Sequence, residues 1–142
     1  MKKQLVIIIS IFFLLFFSME VKSQESTQPD STNKLVMLWI SNDIDAAEKM
    51  AFMYAHTAKK AGWFQEVTLI IWGPSAKLIS ENEKLQEKVK AMQADGIKVE
   101  ACVACARQYG VDGKLRELGY DVKGMGTHLT NYLKSDAKVI SF

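Results

Sequence analysis

The chain has two cysteines, Cys102 and Cys105, standing three apart in the stretch Ile97-Lys98-Val99-Glu100-Ala101-Cys102-Val103-Ala104-Cys105-Ala106. The β-branched run Ile97 to Val99 reads as a strand and the Ala-rich segment after it as the opening of a helix, so the thiols fall at a strand-to-helix junction. The free N–H groups and the positive end of the dipole at a helix start favour the thiolate, which is the nucleophilic form. Residues three apart share a helix face, so the two sulfurs face one substrate or each other. The chemistry this pair could do is sulfur transfer or dithiol redox. Cys102, nearer the strand end, is the candidate nucleophile, and Cys105, one turn later, the candidate resolving thiol.

Other chemistries lack their residues. A tetrahedral zinc site takes about four ligands, and only His56 and His128 could join the two thiols, so no metal is expected. The carboxylate pair of a glycosidase, the phosphate loop G-x-x-x-x-G-K and the G-x-S-x-G elbow are all absent, and no cofactor is expected. A thioredoxin-like reading fails on context, because that C-x-x-C follows the first strand, with a Trp-Cys lead and a later cis-proline.

The first two dozen residues differ from the rest. Lys2 and Lys3 precede an apolar run from Leu5 to Met19, and Val21-Lys22-Ser23 closes it with a small residue, the pattern of a secretory signal peptide over 1–23. The run is shorter than the roughly 20 residues of a spanning helix. The expected product is exported or periplasmic, without stable membrane association after cleavage. Removing 1–23 takes away Lys2, Lys3 and Lys22 against Glu20, which turns the formal +2 into zero. A neutral domain offers no phosphate-directed patch, so nucleic acid is not an expected partner. Residues 24–33 are polar with no apolar side chain and read as a linker, and 34–142 as one domain.

The elements that must position the thiols alternate along that domain. Leu35 to Ile40 and Val67 to Trp72 are continuous apolar runs, as in strands buried on both faces. Helices are expected over Ile44 to Lys60, Ala76 to Ser80, Glu83 to Ala94, Lys114 to Leu118 and from about Thr127 to Leu133. Short strands are expected at Tyr120 to Val122 and Lys138 to Phe142. The first helix carries Ile44, Ala47, Ala51, Tyr54 and Ala58 as its core stripe. A second apolar set on it, Met50, Phe52, Met53 and His56, meets either a neighbouring helix or another subunit. The alternation implies a three-layer α/β/α fold with a mainly parallel sheet of about five strands. Sites in such sheets form beyond the carboxyl ends of the strands. The rim loops there supply Asn42 and Asp43, which also suit a helix cap, then Trp72, Gly73 and Pro74, and finally Met125 and His128 as pocket or substrate-binding candidates.

The segment Cys102-Val103-Ala104, with Ala106, Gln108-Tyr109 and Gly110-Val111, resembles the active-cysteine segment of the DsrE/DsrF-like sulfur-relay family. The likeness runs in order from about Lys34 to Phe142, through Trp72-Gly73-Pro74-Ser75 and Tyr132-Leu133-Lys134. It implies a DsrE-like fold, persulfide sulfur carried on Cys102, a homo-oligomer such as a trimer or hexamer, and a sulfur donor or acceptor protein as partner. The rival expectation is a non-catalytic module, binding a small ligand or building an assembly, with buried or oxidised cysteines. Loss of unprotected persulfides in an oxidising compartment favours that rival.

Overall fold

A computed structural model describes residues 33–142, so the expected leader and the linker up to residue 32 lie outside the described residues. Five strands form one all-parallel sheet: β1 (Lys34–Trp39), β2 (Glu66–Ile71), β3 (Lys98–Cys102), β4 (Asp121–Lys123) and β5 (Lys138–Ser141), in the order β4-β3-β2-β1-β5. Helix α1 runs over 44–60, followed by α2 (Pro74–Glu81), α3 (Glu83–Ala94), α4 (Val103–Gln108), α5 (Asp112–Glu117) and α6 (Met125–Lys134). Among the described residues no helix is long and apolar enough to cross a membrane.

The strand order dictates the layers. The steps from β1 to β2, β3 and β4 all go one way across the sheet, and right-handed crossovers therefore put α1 to α5 on one face. The step from β4 to β5 returns past β3, β2 and β1, which carries α6 over the opposite face. The three layers are thus unequal. The larger core joins Leu35, Met37, Trp39, Leu69 and Ile71 to apolar residues of the five helices. The smaller joins Val36, Ile70, Cys102 and Met125, with Leu129 and Tyr132 of α6 packed on it. Period-two alternation along β3 accordingly sends Val99 and Ala101 to the larger core and Glu100 and Cys102 to the α6 side.

Helix α1 departs from the expected stripe. Its middle, Ala47–Phe52, is π-helical between the α-helical pieces Ile44–Ala46 and Met53–Lys60. The wider turn rotates the helix against a regular 3.6 period. Ala47, Ala51, Phe52, Ala55 and Ala58 are buried, whereas Ile44 is exposed and Tyr54 half-buried. Phe52 meets Trp39 edge-on at 4.9 Å. The second apolar set is therefore divided, with Phe52 in the core and Met50 and Met53 exposed. His56 lies 2.6 Å from Asp95. A groove of about 670 Å³ between α1 and α3 is bordered by Met53, His56 and Met92.

Two smaller differences concern ends. Met125 and Gly126, ahead of the helix expected from about Thr127, already belong to α6, and α2 begins at Pro74 rather than Ala76. Proline is suited to the first helical position because the N–H it lacks would have no partner there.

Trp39 is fully buried and anchors the larger core from the central strand. Trp39→Ala is expected to cost about 3–5 kcal/mol, read as a shift in the urea midpoint followed by circular dichroism; a loss under about 1 kcal/mol would contradict the packing described.

Candidate functional site

Cys102 is the last residue of β3 and the N-cap of α4, with extended backbone at φ −72° and ψ 111°. This one position ends the strand and starts the helix, and Cys105 follows one turn later. The two thiols are in hydrogen-bond contact, and the backbone N–H of Gly73 reaches the Cys105 sulfur. Cys102 is only 5% exposed, packed with Val36, Ile70 and Met125, while Cys105 is half-buried beside Trp72. The outer thiol of the pair is therefore Cys105.

The loop after β2 is built to bring Gly73 to that sulfur. Gly73 has φ +67°, a region that a side chain disfavours. It precedes Pro74, which opens α2. The buried Ser75 hydroxyl lies 2.7 Å from the Trp39 carbonyl and 3.0 Å from the Trp72 carbonyl, and it accepts the Trp72 N–H at 3.0 Å. The Trp72 N–H also bonds the Trp39 carbonyl at 3.0 Å. The end of β2 is thereby tied to the end of β1, and Gly73 is held against the cysteine helix.

Burial, and then the contact with Cys102, push the Cys105 thiol above its ordinary range; the Gly73 N–H works the other way without overcoming them. The expectation that a helix start would favour a thiolate is thus reversed for Cys105. Desolvation disfavours its anion, and α4 is only six residues long. Cys105 keeps its proton at neutral pH.

Behind the thiols lies a polar group that sequence reasoning passed over. Glu100, two residues before Cys102 on the same face of β3, is 5% exposed. Its Oε1 accepts from Lys123 Nζ at 2.9 Å and from the Tyr132 hydroxyl at 3.1 Å. Its Oε2 is buried with no protein partner. Lys123, paired in register with Cys102, also contacts Asp121 at 2.6 Å. Burial, and then Glu100, raise the Tyr132 hydroxyl. The signal was present: a carboxylate at i−2 from a cysteine on a buried strand must share its face.

The remaining candidates divide. Trp72, Gly73 and Met125 are brought to the thiols. Asp43 is a helix cap, its Oδ1 accepting from Asp45 N at 2.7 Å and Ala46 N at 3.0 Å. Asn42 and Pro74 line a groove of about 340 Å³ along α2. His128 borders a different groove of about 380 Å³, together with Lys34, Asn131 and Asp136. Lys34 opens β1 and Asp136 precedes β5, so that groove reaches the amino ends of the strands rather than the thiol rim. Among the described residues no group of three or more His, Cys, Asp or Glu could hold a metal ion.

Fold and site together define a parallel α/β domain that presents a dithiol at the carboxyl end of its third strand. The chain belongs to the DsrE/DsrF-like family, whose model matches residues 34–142. It is similar to a solved conserved protein of unknown function, BT1422 of Bacteroides thetaiotaomicron, with 35% identity and a TM-score of 0.76 over 81% of this chain and 99% of that one. The crystal structure of the ychN protein of E. coli shares the fold, at 14% identity and a TM-score of 0.59 over 78% of this chain and 99% of that one. No curated protein matches the chain. Membership suggests a sulfur-relay role at the level of the family.

In a Cys102→Ser variant, the alkylation rate of Cys105 is expected to rise with pH through a midpoint above the ordinary thiol value of about 8.5, because burial, the first cause of the shift, remains. A midpoint at or below that value in a stopped-flow alkylation series would contradict the assignment.

Proposed function

We propose that this chain carries sulfane sulfur on Cys102, with Cys105 as the thiol that resolves it. One observation supports this most: a buried thiol packed with Met125 and a partly accessible thiol in contact with it at the carboxyl edge of β3. The Cys102 thiolate attacks the outer sulfur of a donor. A bond forms between Cys102 Sγ and that sulfur, and the donor's remainder leaves with the electron pair of the broken bond. An acceptor thiolate then takes the outer sulfur by the same displacement and returns Cys102 to its thiolate. Without an acceptor, the Cys105 thiolate attacks Cys102 Sγ, which forms the disulfide and expels hydrosulfide. The burial of Cys102 among Val36, Ile70 and Met125 is the feature that would slow oxidation of a persulfide in an oxidising compartment.

The same reading takes the leader at 1–23 as an export signal and the mature protein as periplasmic or otherwise exported. It takes the exposed Met50, Met53, Leu133 and Ile140 as the kind of surface that a homo-oligomer would cover, and a donor or acceptor protein as a further partner. The burial of Cys102 favours a second reading, a binding module whose cysteines do no chemistry.

Intact mass after incubation with thiosulfate or polysulfide separates the two. Cys105→Ser is expected to gain and keep one reducible sulfur atom, the wild type to end as a disulfide two mass units lower, and Cys102→Ser to do neither. Equal gain in Cys105→Ser and Cys102→Ser would remove Cys102 from the role, and neither sulfur gain nor disulfide in any of the three would favour the binding module.

A further inference from the structure

Resting on the sulfur-carrier reading, we infer that Glu100 is the general base of the site: its unpartnered carboxylate oxygen takes the Cys102 proton when sulfur loads and returns it when sulfur leaves. A thiol attacks only after losing its proton, so a buried cysteine needs an acceptor close by. The groups around Cys102 leave one. Cys105, in contact with it, keeps its own proton because burial holds that thiol above its ordinary range. The Gly73 N–H and the Lys123 ammonium are donors only. The Tyr132 phenol also stays protonated, raised first by burial. His128 borders the groove at the amino ends of the strands, and His56 is on α1, across the sheet, paired with Asp95.

The sheet brings the acceptor to the sulfur. Glu100 and Cys102 share one face of β3, their Cα atoms about 6.6 Å apart at ~3.3 Å per residue. Asp121 and Lys123 are their in-register partners on β4, so the four side chains form one patch on the α6 side of the sheet. Tyr132 joins its two ends, packing on the cluster that holds Cys102 while its hydroxyl lies 3.1 Å from Glu100 Oε1. Lys123 Nζ reaches the same oxygen at 2.9 Å. Both contacts fall on Oε1. They fix the carboxylate and leave Oε2, buried and without a protein partner, as the acceptor. The i to i+2 spacing is one that a single bridging water completes, a usual route for a general base. The other charges facing this patch are already paired: Lys98 and Lys34 with Glu66 at 2.9 and 3.2 Å, and Asp121 with Lys123 at 2.6 Å.

The transfer balances without net oxidation. The Cys102 proton passes to Glu100 Oε2, Cys102 Sγ bonds to the donor's outer sulfur, and the donor's remainder leaves with the electron pair of the broken bond. When an acceptor thiolate removes the outer sulfur, the Glu100 carboxyl returns the proton to Cys102. A negative charge is thus moved within the patch and none is added to a buried setting, where a new charge would be costly. Lys123, beside Cys102 and bonded to Glu100, faces that charge in either place.

The test uses the full-length mature protein with Cys105→Ser, in which Cys102 is the sole thiol. Two rates are read by intact mass from about pH 6 to about pH 10, a range that spans the ordinary thiol. One is sulfur loading from polysulfide; the other is the reaction with methyl methanethiosulfonate, a small reagent that needs the same deprotonation. Adding Glu100→Gln, which keeps the shape and an oxygen for Lys123 and Tyr132, is expected to slow both about a hundredfold near neutral pH. The deficit should close as pH rises and hydroxide takes the proton instead. Glu100→Asp, with its carboxylate one methylene back, is expected to recover much of the rate. A deficit equal at every pH, no deficit, or an aspartate variant no faster than the glutamine one would each overturn the assignment. A parent protein that reacts with the reagent at a Glu100-dependent rate, yet takes no sulfur from polysulfide, would sink the carrier reading and leave the base standing.

Discussion

The handedness of parallel crossovers is the constraint from which the site follows. Three successive steps in one direction commit α1 to α5 to one face, and the single return step commits α6 to the other. Cys102, by alternation, points to the face that α6 covers, while α4, which carries Cys105, packs Ala106 into the opposite core. The pair thus bridges the edge between the two layers. One sulfur is sunk under α6, and its partner stands at the rim next to the loop from β2. Had the chain continued past β4 in the same direction, Met125 would not stand over Cys102.

Within that frame the local contacts act in opposite senses. Burial holds the proton on Cys105, and the Gly73 N–H favours its anion without prevailing. A thiol that stays protonated at rest does not compete with its neighbour for a donor. Once its proton is lost it has a backbone N–H ready to steady the anion. The Glu100, Lys123 and Tyr132 group keeps an ionic network beneath the sulfur in a setting that is otherwise apolar. Lone pairs on the second carboxylate oxygen are left without a protein partner, a costly arrangement in a buried site.

The general plan was legible in the sequence because it rests on patterns the chain states openly. Continuous apolar runs marked β1 and β2, Asp95-Gly96 closed α3 after Ala94, and the C-x-x-C spacing marked the thiols. The core face of α1 was legible in part: Ala47, Ala51 and Ala58 are buried as expected, but a π-helical turn, with no Pro or Gly to announce it, brings in Phe52 and Ala55 and leaves Ile44 exposed. Nor were the neighbours of each rim loop, which depend on strand order. His128 and Asn42 both follow strand ends in sequence, yet they open onto different grooves, neither of them walled by the thiols. Glu100 was missed because a charged residue in a strand reads as an exposed position, and here its partners come from β4 and α6, more than 20 residues away.

The central claim is that the two thiols work as a pair, and the stoichiometry of sulfide release tests it most directly. Protein loaded with one sulfur and left without an acceptor should release one hydrosulfide for each Cys102–Cys105 disulfide formed, while Cys105→Ser should load and then retain its sulfur. Release from Cys105→Ser at the wild-type rate, with no disulfide in the wild type, would show that Cys102 acts alone and would contradict the account.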